Sequence, residues 1–235
     1  MQEIIDFHSH ILPGVDDGSK SLGESLEMLK QTADQGIRRM VATPHFYANH
    51  DTPRAFLERR DTAYRQLLEG MAQEPGLPGV TLGAEVYFFR GISDCESISE
   101  LTIGNTGYLL VEMPPPPWRD AMYRELESLS ICRGITPIIA HVDRYLGLFR
   151  TFHIPEQLEA RPVLVQANAE FFLKPARRHM ALKMLRTGQI HLLGSDCHNV
   201  TSRVPNLGDA VDVIRHRLGA DALEWVAQHQ TAILR

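Results

Sequence analysis

Short apolar runs recur along the chain, with stretches of helical periodicity between most of them. The runs are Ile4–Phe7, "MVATPH", "VTLGAEV", "YLLVEM", "TPIIAH", "VLVQANA" and "IHLLGSD". Each is short and bounded by turn residues, which predicts seven buried strands. Between them, "SLGESLEMLKQTADQG" reads as a helix. Ser21 and Glu24 form a capping box, Leu22, Leu26, Leu29 and Ala33 share one face, and Gly36 ends it. Thr52 and Pro53 open a second helix that runs to about Ala72. The segment 90–107 is poor in pattern. Pro114–Pro117 stop the fourth strand, and Trp118, Met122, Leu126 and Leu129 follow at helical spacing. A helix over 176–187 ends at Gly188, and one or two helices close the chain. No internal repeat is present.

Seven strands alternating with mostly helical connections predict parallel pairing through right-handed crossovers. A barrel-like α/β fold and an open doubly wound sheet both satisfy this pattern. In either, chemistry gathers at the carboxyl ends of the strands.

The polar residues fall at those ends. Strand one gives His8 and His10, spaced to share one face of an extended chain. Strand two gives His45, strand three Glu85, strand four Glu112 and strand five His141. Strand seven gives Asp196 and His198, again two apart, and Asp17 lies in the first loop. Any one of these alone reads as an ordinary hydrogen-bonded polar residue. Five of the eleven histidines and four carboxylates gathered at one rim read as a metal cluster. Without clustered thiolates, a structural zinc site is not expected. Imidazole mixed with carboxylate suits Mn, Fe, Zn or Co. Nine candidates exceed the four to six ligands that one ion takes, so two or three ions with a bridging glutamate fit better.

Composition narrows the class further. The 235 residues are 43% hydrophobic, enough for one large α/β domain. A formal net charge of -5 argues against nucleic-acid binding through phosphate contacts. No apolar run is long enough to span a membrane. The first strand begins almost at Met1, so no signal peptide is expected. Cys95, Cys132 and Cys197 form no C-x-x-C pair, so a reduced, cytoplasmic setting is expected.

Taken together, "DFHSHILPGVDDGSKSLGESLEML", "TPH", "GAEVYF", "LVEMP", "IIAHVDRY" and "GSDCHN" resemble the PHP (polymerase and histidinol phosphatase) superfamily. Within it they resemble the bacterial tyrosine phosphatases of capsule and exopolysaccharide operons. The resemblance covers nearly the whole chain, in order, as a single PHP-like phosphatase domain over 1–235. It implies a distorted (β/α)7 barrel with a trinuclear site at the C-terminal ends of the strands, often manganese-dependent. Matched residue by residue, the implied ligands are His8, His10, Asp17, His45, Glu85, Glu112, His141, Asp196 and His198. Two family arginines match Arg144 in "HVDRY" and Arg203 in "HNVTSR". The family often has Pro-Glu where this chain has Val142-Asp143. The implied substrate is a phosphotyrosine protein, a bacterial tyrosine kinase.

In such a site, arginine forks would bind phosphate oxygens bidentately. Phe46, Tyr47, Trp118, Tyr145 and Phe149 lie near the same rim, where packing is the expected role and flanking a phosphotyrosine ring the alternative. His50, His153, His179, His191, His216 and His229 have no partner pattern and read as structural or surface residues. Three rival chemistries stand beside the main reading; one, a metal-dependent amidohydrolase, often bridges its metals with a carbamylated lysine, and no lysine ends a strand here. Cys197 and Arg203 have the C-x5-R spacing of cysteine-dependent phosphatases, but the intervening "HNVTS" lacks glycine, and strand alternation turns Cys197 away from Asp196 and His198. A PHP-type hydrolase of histidinol phosphate, or of another small phosphomonoester, is the third rival. A metal-binding regulator without turnover is the non-enzymatic alternative.

Overall fold

The computed structural model describes residues 3–147 and 153–234. Strands β1 (Asp6–Ser9), β2 (Arg39–Ala42), β3 (His45–Phe46), β4 (Gly79–Leu82), β5 (Glu85–Tyr87), β6 (Tyr108–Glu112), β7 (Thr136–Ile139), β8 (Leu164–Asn168) and β9 (Leu192–Gly194) all pair in parallel. They form two sheets, β1-β2-β4 and β3-β5-β6-β7-β8-β9. The second and third apolar runs each supply two strands, β2 with β3 and β4 with β5. Thr43-Pro44 interrupts the first pair and Gly83-Ala84 the second. Proline has no N–H to give a ladder, so the pairing steps from one sheet to the next at Pro44.

The sheet curls on itself. Asp196 N donates to His8 O at 2.8 Å, and His10 N donates to Cys197 O at 2.9 Å. Those bonds join the segment just past β9 to the end of β1 and close a seven-position distorted barrel, resolving the choice between barrel and open sheet. Side chains divide by parity. Val41, Leu110, Ile138 and Leu192 meet Ile5 and Phe7 in one cluster inside the curl. Met40, Leu109, Val111, Ile139 and Leu193 point instead to a larger core under the helices.

Those helices are α1 (Leu22–Asp34), α2 (Pro53–Met71), α3 (Asp120–Arg133), α4 (Ile154–Glu159), α5 (Ala169–Leu173), α6 (Pro175–Arg186), α7 (Leu207–Leu218) and α8 (Ala220–Ile233). Ser21 caps α1 by accepting from Glu24 N, while Glu24 reaches back to Lys20 N at 2.8 Å. The buried face of α1 is Ser25, Met28, Leu29 and Thr32. Leu22 and Leu26, expected there, flank it and pack toward Gly70 of α2. The unpatterned stretch holds three 3₁₀ turns, at 92–94, 96–101 and 103–105. Among the described residues no helix is long and apolar enough to cross a membrane.

Candidate metal centre

His8 sits near the end of β1 and His10 one step beyond it, both fully buried. The loop that follows folds straight back onto them. Ser19 N donates to His10 O at 2.9 Å, and Gly14 N donates to Ser19 O at 2.8 Å. A Cβ on Gly18 would lie 2.2 Å from His10 O and 2.5 Å from His10 Cβ, so only glycine fits. Asp16 ties the loop in place. Its Oδ1 accepts from Gly18 N at 2.9 Å, and its Oδ2 accepts from His45 N at 2.9 Å and lies 2.7 Å from His10 Nδ1. The "DDGS" stretch thereby divides its labour. Asp16 orients His10, while Asp17 stays 65% exposed over the site, 3.6 Å from His45 Nε2 and 3.5 Å from His198 Nε2.

Glu85, the first residue of β5, lies at the centre. Its Oε2 is 3.0 Å from His45 Nδ1, 3.1 Å from His8 Nε2 and 3.2 Å from His10 Nε2, and its Oε1 is 2.8 Å from His141 Nε2. Glu112, at the end of β6, places its two oxygens 3.6 Å from His141 Nε2 and 3.8 Å from His45 Nδ1. Asp196 Oδ1 is 3.6 Å from His8 Nε2, 3.5 Å from His10 Nε2 and 3.6 Å from His198 Nδ1. The structure therefore brings all nine sequence-selected residues to one rim. His141 and Asp196 both adopt left-handed backbone, with φ of 34° and 55°. Such values are uncommon outside glycine, and both mark abrupt strand exits.

Three donor groups stand out: His10, Asp17, His45 and His198; His8, His10 and Glu85; and His45, Glu85 and Glu112. Within each, the donor atoms lie within 4.8 Å of one another. Glu85 Oε2, His45 Nδ1 and His198 Nε2 are buried without a hydrogen-bond partner of proper geometry, despite their short separations from neighbouring polar atoms. Leaving such atoms unsatisfied costs about 1–3 kcal/mol each. Nitrogen and oxygen donors that converge this closely without a hydrogen bond of proper geometry are what a cation satisfies, so the donor set fits divalent metal ions.

Burial pushes the Glu85 carboxyl up, but the charge on His8 and the close approach of the His10, His141 and His8 ring nitrogens outweigh it and hold the group well below the usual carboxylate range. For Asp196, burial is outweighed by His8, His10 and Arg144 in the same way. Burial, followed by repulsion from His10, lowers His198 to about 4; burial foremost also lowers His45. Burial lowers His8 and His10 as well, but Glu85 and Asp196 beside His8, and Asp16 beside His10, outweigh it and raise both, so a metal ion binding here would take the place of their protons.

Arg144 and Arg203 meet at the mouth of this cluster. Arg144 Nη2 donates to Asp196 Oδ2, and Arg203 Nη2 lies 2.8 Å from Asp196 Oδ1. Their side chains remain 41% and 38% exposed. Asn199 builds the loop that presents Arg203, its Oδ1 accepting from the backbone N–H groups of Thr201, Ser202 and Arg203. A cavity of about 520 Å³ adjoins the site, lined by Asp17, His45, Tyr47, His50 and Arg59 among others. A larger cavity of about 690 Å³ opens on a different face, between Gln35–Arg38 and the α7–α8 region, away from the cluster.

The other rim residues separate by burial. Phe46 packs on Phe56 in the core. Tyr145 is buried and its hydroxyl accepts from Met113 N at 2.9 Å, with Trp118 packed against its ring. Tyr47 stays half-buried beside His45. Phe149 lies outside the described residues. Cys197 is fully buried in the core, and burial pushes its thiol far up from the usual range. It has neither the exposure nor the ionisation of a nucleophile. Sequence reasoning passed over Asp16, Asn199 and two amides on β8, Gln166 and Asn168. The signal for the amides was present, as two polar residues spaced by two in an otherwise apolar run.

A family model described as capsular polysaccharide synthesis, CpsB/CapC, matches residues 4–234. Tyrosine-protein phosphatase YwqE of Bacillus subtilis is 28% identical over 244 residues, spanning 99% of this chain and 92% of its own. Tyrosine-protein phosphatase CpsB of Streptococcus pneumoniae is 29% identical over 230 residues, spanning 92% of each. A crystal structure from work on YwqE and CpsB, described as unique metal-dependent tyrosine phosphatases, shares the fold at a TM-score of 0.82 and 24% identity, covering 99% of this chain and 94% of that one. With all but its terminal residues matched, this chain belongs to the capsular polysaccharide synthesis family CpsB/CapC.

Proposed function

We propose that this chain is a metal-dependent phosphomonoester hydrolase that removes phosphate from phosphotyrosine in a protein, as a single catalytic domain over 1–235. The convergence of imidazole and carboxylate lone pairs on Glu85 carries the reading. Family membership and the tyrosine phosphatase activity of YwqE and CpsB support it.

His8, His10, Asp17, His45, Glu85, Glu112, His141, Asp196 and His198 are the ligands in this reading. They would hold two or three divalent ions, Mn²⁺ foremost. Such ions supply Lewis acidity toward phosphoryl oxygens and ionise water near neutral pH. The protein's own groups do the rest. Arg144 and Arg203 bind the phosphate dianion through their guanidinium forks at the mouth, and set it over the cluster. Asp16 holds His10 so that Nε2 faces inward. The phenolate leaving group, with a conjugate-acid pKa of about 10, departs with less protonation than an alkoxide needs. Tyr47 and the adjoining cavity offer room for residues beside the phosphotyrosine. The substrate protein we assign is a bacterial tyrosine kinase of capsule or exopolysaccharide synthesis, met in the cytoplasm.

Mn²⁺-loaded protein should turn over phosphotyrosine peptides in preference to phosphoserine peptides and to histidinol phosphate. Comparison of kcat/KM across the three checks this. A strong preference for histidinol phosphate, or no turnover of any phosphoester by fully metallated protein, would overturn the assignment.

A further inference from the structure

Among the described residues, β8 is the one of the seven barrel positions that gives no candidate ligand. It nevertheless sends two side chains toward the centre. Leu164 packs against the cluster inside the curl, so alternation carries Gln166 and Asn168 inward as well. Both are buried. Close approach here is built in, because a Cβ on Gly194 of neighbouring β9 would lie 2.6 Å from His8 Cβ and 2.9 Å from Gln166 Nε2.

One proton in this region has a fixed direction. His141 N–H can only donate, and it lies 2.6 Å from Gln166 Oε1. That contact fixes which end of the Gln166 amide is oxygen. The same Oε1 is 3.3 Å from His8 Nδ1, so the proton between them belongs to Nδ1. The lone pair of His8 is thereby left on Nε2, the atom that faces Glu85, His10 and Asp196. At its other end, Gln166 Nε2 donates to Asn168 Oδ1 at 3.1 Å. Asn168 must then present Nδ2 to Asp196, and it donates to Oδ2 at 2.9 Å. The two left-handed residues of the rim, His141 and Asp196, each sit at one end of this chain of bonds.

We propose that Gln166 and Asn168 are positioning residues of the metal centre, an amide relay that fixes the His8 tautomer and the Asp196 carboxylate together. This rests on the metal-centre reading above. Losing an outer partner of a ligand typically weakens metal binding by about ten- to a hundred-fold. Gln166→Met keeps the volume and removes the acceptor, and Asn168→Leu removes the donor. Each should weaken Mn²⁺ binding, measured calorimetrically, by about ten-fold or more. Because loss of Gln166 also frees Asn168, the double variant should be less than additively worse. Gln166→Glu keeps the acceptor for His8 and His141. It should bind Mn²⁺ more tightly than Gln166→Met.

A second readout is independent of activity. In Zn²⁺-loaded protein, the His8 Nδ1–H proton should exchange slowly with solvent by NMR, remain so in Gln166→Glu, and be lost in Gln166→Met. If Gln166→Met does not fold, Asn168→Leu decides the question through its Mn²⁺ affinity. Wild-type affinity in folded Gln166→Met or Asn168→Leu would overturn the relay while leaving the metal centre standing. A wild-type chain that takes up no Mn²⁺ would overturn both.

Discussion

Gly18 and Arg203 test opposite sides of the site at the scale of single residues. A Cβ at position 18 meets backbone of His10 at 2.2 Å, with no flexible side chain to yield. Gly18→Ala should therefore displace His10 and weaken Mn²⁺ binding, and overpacking of this kind should cost about 1–3 kcal/mol of stability. Calorimetric titration and a thermal melt check both effects; an unchanged Mn²⁺ affinity would contradict the role given to the loop. Arg203→Ala should keep its metals and lose substrate. A charge-assisted contact that also serves the transition state is worth about 2–4 kcal/mol, or roughly 30- to 1000-fold in kcat/KM. Cys197→Ser should keep most activity, because the thiol is buried and un-ionised. A metallated but inactive Cys197→Ser enzyme would reverse that conclusion. All nine rim residues were legible in the sequence because ligand chemistry demands His, Asp and Glu at strand ends. Asp16 was harder to see, since its work depends on a loop that folds back across β1. Gln166 and Asn168 act through other side chains, and amides in a buried strand do not announce a partner.

Helices and strands were legible to different degrees. Thr52 and Pro53 place the start of α2 correctly because a cap and an N1 proline act locally. The second and third strands each break in two, at Pro44 and at Gly83-Ala84, because ring closure demands a bend that no periodicity records. Helices α4 and α5 went unread because five or six residues are too few to establish a 3.6-residue pattern. His191, read from sequence as structural or surface, holds the β8–β9 pairing, its Nδ1 accepting from Val165 N at 3.1 Å. Burial, followed by the charge of His229, lowers it to about 4. The sign follows directly. The unfolded chain takes up this proton near pH 6.5 and the folded chain only near 4, so the contribution is full above pH 6.5 and is lost as pH falls toward 4. His191→Gln should flatten the pH dependence of unfolding across that window. Denaturant midpoints at pH 7 and pH 5 measure it, and an unchanged difference between them would argue against the assignment.

For the molecule as a whole, alternating apolar runs and helices narrowed the fold to barrel or open sheet, and resemblance to the PHP superfamily favoured the barrel. The decisive feature is the β9–β1 closure through His8, His10, Asp196 and Cys197. It brings the first and last strands together across nearly the whole chain, and with them four of the candidate ligands. Barrel closure and metal-site assembly are in that sense one event. In the function proposed above, hydrolysis depends on metal held at this rim. The most direct test titrates chelator-stripped protein with Mn²⁺, following phosphotyrosine turnover and the metal bound per chain by elemental analysis. No turnover is expected without metal, and a rise that saturates at roughly two or three ions per chain, as the donor count implies. Full turnover by protein that holds no metal would contradict it.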